Sequence, residues 1–140
     1  MKILVAEDDK VVSLLVCGIL REQGHQVLAA FDQMQTIMFA NKLPGPDAIV
    51  LDLNMPGGTG GETLRRLKTS SRTVYTPVIV LSGTTDPNAP KLVAELGGES
   101  FLSKPVNREA FLAELERVTA NRQPVPGARQ PVGVARMAYE

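Results

Sequence analysis

The chain has 140 residues, 44% of them apolar, and its 15 basic and 15 acidic side chains cancel. That length is one domain with room for a full core, and the neutral balance removes any reason to expect nucleic acid or an anionic membrane as a partner. The one cysteine, Cys17, cannot form an internal disulfide, and no apolar run approaches 18 residues; a cytoplasmic location follows as the expectation.

Ile3 to Ala6 is a first apolar strand, and it runs into three acids, Glu7, Asp8 and Asp9. From about Lys10 to Gln23 the pattern is helical, with Val12, Leu15, Val16, Ile19 and Leu20 predicted on the inner face and Gly24 as the left-handed stop. Gln26 to Ala30 reads as a second strand. Asp32 caps a helix whose predicted inner face is Met34, Ile37 and Met38, and Leu43-Pro44-Gly45-Pro46 breaks it. Ala48-Ile49-Val50-Leu51-Asp52 is a third strand, apolar enough to be buried on both faces and ending in an acid.

Pro56 turns the chain into Gly57-Gly58-Thr59-Gly60-Gly61, expected to be a mobile loop. The helix that follows, to about Ser70, points Leu64 and Leu67 inward and leaves Arg65, Arg66 and Lys68 as a solvated basic face. Val78 to Leu81 is a fourth strand, ending at Ser82-Gly83. A helix carrying Leu92, Val93 and Leu96 stops at Gly97-Gly98. Ser100 to Ser103 is a fifth strand, ending at Lys104-Pro105, and Asn107 caps a last helix with Phe111, Leu112, Leu115 and Val118 apolar. The domain is expected over residues 1–122. Residues 123–140, with three prolines and two glycines, read as a tail or the start of a linker.

Regular alternation of strand and helix predicts a parallel sheet with helices on both faces and right-handed crossovers. The chemically distinctive residues then share one edge: Glu7, Asp8 and Asp9 from strand one, Asp52 from strand three, Ser82 from strand four and Lys104 from strand five. Carboxyl ends of parallel strands are where open α/β sheets place their sites.

The motifs Ile3-Leu4-Val5-Ala6-Glu7-Asp8-Asp9, Leu51-Asp52-Leu53-Asn54-Met55-Pro56, Leu81-Ser82-Gly83 and Phe101-Leu102-Ser103-Lys104-Pro105 make the chain similar to the receiver domain of two-component response regulators. The likeness runs from about Lys2 to Arg122. It implies a flavodoxin-like (CheY-like) doubly wound sheet of five parallel strands in the order 2-1-3-4-5. It implies that Asp52 is the phosphoacceptor, a carboxylate nucleophile toward a phosphohistidine on a histidine kinase or histidine phosphotransfer protein. Mg²⁺, or Mn²⁺ in its place, would be held by Asp8, Asp52 and the backbone carbonyl of Asn54, with Glu7 acting through water.

The acidic pair is open by one residue: the spacing from the strand favours Glu7-Asp8, and the alternative is Asp8-Asp9 with the latter no longer a helix-terminal acid. Lys104 would supply positive charge, Ser82 would be the switch hydroxyl and Phe101 the aromatic switch. By the same likeness Pro105 is a cis proline. A downstream protein would dock on the face of the fourth helix, fifth strand and fifth helix, with the protein a monomer or a phosphorylation-dependent dimer. The resemblance makes the chain a signalling switch rather than an enzyme, with Mg²⁺-dependent self-phosphorylation from a phosphodonor and autodephosphorylation at Asp52. An aspartyl phosphatase would carry a second Asp at position 54, where this chain has Asn54. Two other readings are a fragment of a longer multidomain regulator and a pseudo-receiver that keeps the fold as an interaction module without phosphorylation.

Overall fold

Each apolar run is too short for a core helix and is bounded by glycine, proline or acids, so it settles as a strand. In the computed structural model these are β1 (Lys2–Ala6), β2 (Gln26–Ala30), β3 (Ala48–Asp52), β4 (Val78–Ser82) and β5 (Ser100–Ser103). The helices between and after them are α1 (Lys10–Glu22), α2 (Gln33–Asn41), α3 (Gly60–Thr69), α4 (Ala89–Glu95) and α5 (Arg108–Thr119). The structure describes residues 1–57 and 60–120. The centre of the glycine loop and the tail at 123–140 lie outside the described residues.

All pairings are parallel, and the sheet order is β2-β1-β3-β4-β5. Ala6 lies beside Leu51, Asp52 beside Leu81, and Ser82 beside Ser103, so the carboxyl ends finish level. Every residue of β3 and β4 is buried, as central strands covered on both sides must be.

The two faces divide by alternation. Ile3, Val5, Val50, Ile79 and Leu81 pack with Val16 and Leu20 of α1 and Phe111 and Leu115 of α5. Leu4, Ala6, Ile49, Leu51, Val78 and Val80 pack with Leu64 and Leu67 of α3 and Val93 of α4. Each large side chain buried here contributes roughly 1.5–3 kcal/mol of transfer free energy.

The helix ends follow local chemistry. Asp9, Asp32 and Asn107 cap α1, α2 and α5 with side-chain oxygens on backbone N–H groups. Gly24, at φ +84, takes the left-handed turn after α1. Gly98 closes the α4–β5 turn so tightly that an added Cβ would stand 2.6 Å from a Val93 methyl.

Three sequence expectations are corrected. The stripe α1 buries runs through Ser13, Val16, Cys17 and Leu20, which turns Leu15 away and leaves it 50% exposed. In α2 the buried positions are Gln33, Thr36 and Ala40; Ile37 is half-buried, and Met34 and Met38 face solvent. Asp32 sets that phase, since its Oδ1 accepts from Gln35 N at 2.7 Å and its carbonyl accepts from Thr36 Oγ1 at 2.7 Å. Lys68 is not part of a solvated face: its side chain is 7% exposed, inside a polar cluster at the opposite end of the sheet from the acids.

Candidate functional site

Extending the strand alternation by one step explains who meets whom. Glu7 continues the face of Ile3 and Val5, Asp52 that of Val50, and Lys104 that of Leu102, all toward α1 and α5. β1 and β3 are neighbours, so Glu7 and Asp52 converge beneath the sheet edge. Lys104 reaches them from β5, across β4, with its long stem.

Glu7, Asp8 and Asp52 each offer a carboxylate oxygen within 4.8 Å of the others. Glu7 and Asp52 are 2% and 3% exposed, while Asp8 is open to solvent. The Lys104 ammonium stands 2.7 Å from Glu7 Oε1 and 3.6 Å from Asp52 Oδ1, so its nearer partner is Glu7. Glu7 Oε2 accepts from Asp9 N at 3.2 Å, and Asp52 Oδ1 accepts from Asn54 N at 3.1 Å. The Asp9 carboxylate itself is spent on the helix, accepting from Val11 N at 2.9 Å and Val12 N at 3.2 Å. That geometry favours the register in which Glu7 and Asp8 are the acidic pair.

Three carboxyls facing one lysine leave an excess of negative charge. Burial pushes the Glu7 carboxyl up, and a hydrogen bond with Asp52 adds to it, overriding Lys104 and the Asp9 N–H, so that Glu7 titrates at about 7. Burial alone would lower the Lys104 ammonium; Glu7 and Asp52 more than offset it, and it is raised. The donor set is entirely hard oxygen, the kind that suits Mg²⁺ and not a soft metal.

The other named residues sit as follows. Ser82 is fully buried, and its Oγ accepts from Thr84 N at 3.1 Å. Nothing lies within 4 Å of where a Gly83 Cβ would be, which leaves space beside that hydroxyl. Lys104 N donates to Ser82 O at 2.8 Å, tying the two strand ends together. Phe101 is half-buried against the α3–α4 side of the core and lines a groove of about 250 Å³ with Val93 and Arg117. The Lys104–Pro105 bond is cis, as is Leu43–Pro44. His25 lies half-buried at the opposite edge, its Nδ1 3.0 Å from the Met1 amine.

Fold and site together define a class: a doubly wound α/β domain with a lysine-paired acidic cleft at the carboxyl ends of its strands. The chain belongs to the response regulator receiver domain family, whose model matches residues 3–116. The phosphate regulon transcriptional regulatory protein PhoB of Escherichia coli is 30% identical over 124 residues, which are 89% of this chain and 54% of PhoB. The sensory/regulatory protein RpfC of Xanthomonas campestris is 31% identical over 137 residues, 96% of this chain and 19% of RpfC. The chain thus spans about half of PhoB and about a fifth of RpfC.

Among solved structures, the chemotaxis response regulator CheY4 of Vibrio cholerae matches with a TM-score of 0.77 at 31% identity, covering 84% of this chain and 97% of CheY4. The receiver domain of the sensor histidine kinase PA1611 from Pseudomonas aeruginosa matches with a TM-score of 0.78, covering 86% of this chain and 98% of that one. It was solved with a magnesium ion coordinated in its active-site cleft, and at 24% identity it speaks for the fold alone. No helix among the described residues is long and apolar enough to cross a membrane.

Proposed function

We propose that the chain is a phosphorylation-activated receiver in which Asp52 accepts a phosphoryl group from a phosphohistidine on a histidine kinase or histidine phosphotransfer protein. The observation that carries this is the buried Asp52 carboxylate, 3.6 Å from Lys104 and inside a cluster of three acids. An Asp52 oxygen attacks phosphorus, the P–N bond to imidazole breaks, and an acyl phosphate forms. Asp8, Asp52 and the Asn54 carbonyl would hold Mg²⁺, with Glu7 acting through water, and the cation would offset their repulsion and the charge on the transferring group. Lys104 keeps one ammonium poised over Asp52 and Glu7, ready to pair with a phosphoryl oxygen. Hydrolysis by water breaks the new O–P bond and returns the carboxylate and inorganic phosphate.

Two features support a readout. Ser82 Oγ accepts from Thr84 N, an exchangeable bond, and its O–H can donate to a phosphoryl oxygen. Turning toward a phosphoryl oxygen releases that N–H and lets the loop after β4 move. Phe101 stands on the next strand beside an open groove, where a ring has a second place to go. The α4–β5–α5 face would then change for a downstream protein. Val11, Leu14 and Leu15 are 76%, 70% and 50% exposed on α1, next to the acids, and suit the entry of the phosphodonor protein. A cytoplasmic location fits such a donor.

The test is intact mass after exposure to a small-molecule phosphodonor with and without Mg²⁺. One phosphate should appear only with metal and should be absent in Asp52→Asn. Labelling that persists in the variant, or that never appears in the wild type, sinks the reading and leaves an interaction module that keeps the fold.

A further inference from the structure

Helix α2 carries no Asp, Glu, Lys, Arg or His in its nine residues. Its outward side is apolar: Met34 is 79% exposed and Met38 56%. With Ile37 these residues line a groove of about 600 Å³ whose other wall includes Pro56, Gly57 and Arg66. Phe31, just before the helix, and Leu43, just after it, add apolar surface at 39% and 49% exposure. The floor of the groove is tied to the wall, because Gln33 N donates to Pro56 O at 3.0 Å, and a Cβ added at Gly57 would stand 3.4 Å from the Gln33 Cβ.

The charge around it leans basic, with Arg66, Lys42 and Arg72 against Asp32 in the lining and Glu62 one turn before Arg66 on α3. Arg66 lines the wall, Lys42 is exposed at the helix end, and Arg72 is anchored there by a 3.0 Å bond to Asn41 O. The acid in the groove lining is Asp32, and its Oδ1 is already held by Gln35 N.

We propose that this groove docks an acidic amphipathic helix of a partner protein. Met34, Ile37 and Met38 present soft, adaptable side chains along one helical edge, a surface that receives apolar anchors at i, i+3 or i+4, and i+7. Acidic residues on the incoming helix meet Arg66, Lys42 and Arg72. A second copy docked symmetrically through the same groove suits it poorly, since it would set the same basic side chains against one another. The chain's own segment at 121–140 suits it poorly as well: it holds Arg122, Arg129 and Arg136 against Glu140.

The methionines report on the groove directly, because only five are present: Met1, Met34, Met38, Met55 and Met137. The full chain, methyl-labelled at methionine, is titrated with a synthetic helix that has leucines at i, i+4 and i+7 on a glutamate background. The control peptide carries lysine for glutamate. Saturable shifts of Met34 and Met38 are expected with the acidic peptide, weakened about tenfold or more for the lysine peptide or for Met34→Lys with Met38→Lys, about 1.4 kcal/mol. The buried Met55 methyl verifies that the variant is folded.

Four results overturn the proposal. These are unmoved Met34 and Met38, equal binding of the lysine peptide, shifts that depend on protein concentration without peptide, and methyl contacts between Met34 or Met38 and Met137. The third would make a second copy the occupant, and the fourth the chain's own end.

Discussion

Two lysines, Lys68 with its side chain 7% exposed and Lys104 with its side chain 22% exposed, stand at opposite ends of the same sheet, and they are set up in opposite ways. At the amino end, Lys68 donates to Val74 O at 3.3 Å, Thr76 O at 2.8 Å and Glu99 Oε1 at 2.5 Å. Glu99 Oε2 in turn accepts from Val78 N at 2.6 Å. One cation meets one anion, and backbone groups satisfy what remains, so α3, the start of β4 and the approach to β5 are stitched together. At the carboxyl end, Lys104 meets Glu7 and Asp52, with Asp8 beside them. There the negative charge exceeds what one ammonium can offset. The first cluster is balanced as folded; the second carries negative charge in excess of its one ammonium. An unbalanced buried cluster is what a ligand site looks like, and a balanced one is what a structural joint looks like.

The largest expected effect comes from breaking the balanced end. Lys68→Met leaves Glu99 Oε1 and two carbonyls without their lysine donor, while Val78 N still serves Oε2, and should cost about 3 kcal/mol in urea unfolding. Mg²⁺ affinity and Asp52 labelling should be unchanged. At the unbalanced end Lys104→Met should cost less, about 2 kcal/mol at pH 8 and under about 1 at pH 6, because Glu7 can take up a proton instead. That variant should gain stability on adding Mg²⁺ yet label slowly. If Lys104→Met proves the more destabilising at both pH values, the contrast between the two ends fails.

How much of this was readable beforehand follows from the range of the interactions. Strands and acids were legible because apolar runs and their ends are local facts: the third strand and its terminal Asp52 lie where the pattern put them. The inner face of α2 was not, because Met34-Ile37-Met38 and Gln33-Thr36-Ala40 have equally good helical spacing. The more apolar set was the natural choice, and the capping geometry of Asp32 selected the other. The Lys68–Glu99 pair was missed because its partners are 31 residues apart and Lys68 follows two arginines, which reads as a charged surface. The preference of Lys104 for Glu7 over Asp52 is a matter of about an ångström and leaves no trace in residue spacing.

The next effect separates the ends by pH. Glu7 rises from 4.5 to about 7 on folding. A group raised on folding contributes stability that is complete below its unfolded value and is lost as pH climbs through its folded value. The metal-free protein should therefore weaken between about pH 4.5 and 8, and the Glu7→Gln variant should show a flatter profile. Binding of a cation must displace that proton below pH 7. Mg²⁺ affinity should then rise about tenfold per pH unit up to about 7, roughly 1.4 kcal/mol per unit, and level off above. A pH-independent affinity between 5.5 and 7 would show that Glu7 takes no part.

The smallest effect is also the sharpest at the site itself, because it decides which acids belong to it. Asp9 follows Asp8 directly, and by sequence either neighbour could complete the pair. In the structure its carboxylate faces the first turn of α1, bonded to Val11 N and Val12 N, while its own N–H is the donor to Glu7. Asp9→Ala removes the cap and should cost about 1 kcal/mol in thermal or urea unfolding. The backbone donor to Glu7 survives the substitution, so Mg²⁺ affinity at pH 8 should change less than about threefold, under roughly 0.7 kcal/mol. The paired variant Asp8→Ala should show the reverse pattern, with little change in stability and a loss of Mg²⁺ binding. A collapse of Mg²⁺ affinity in Asp9→Ala would move the acidic pair one residue along the chain and make the cap a secondary role of a metal ligand.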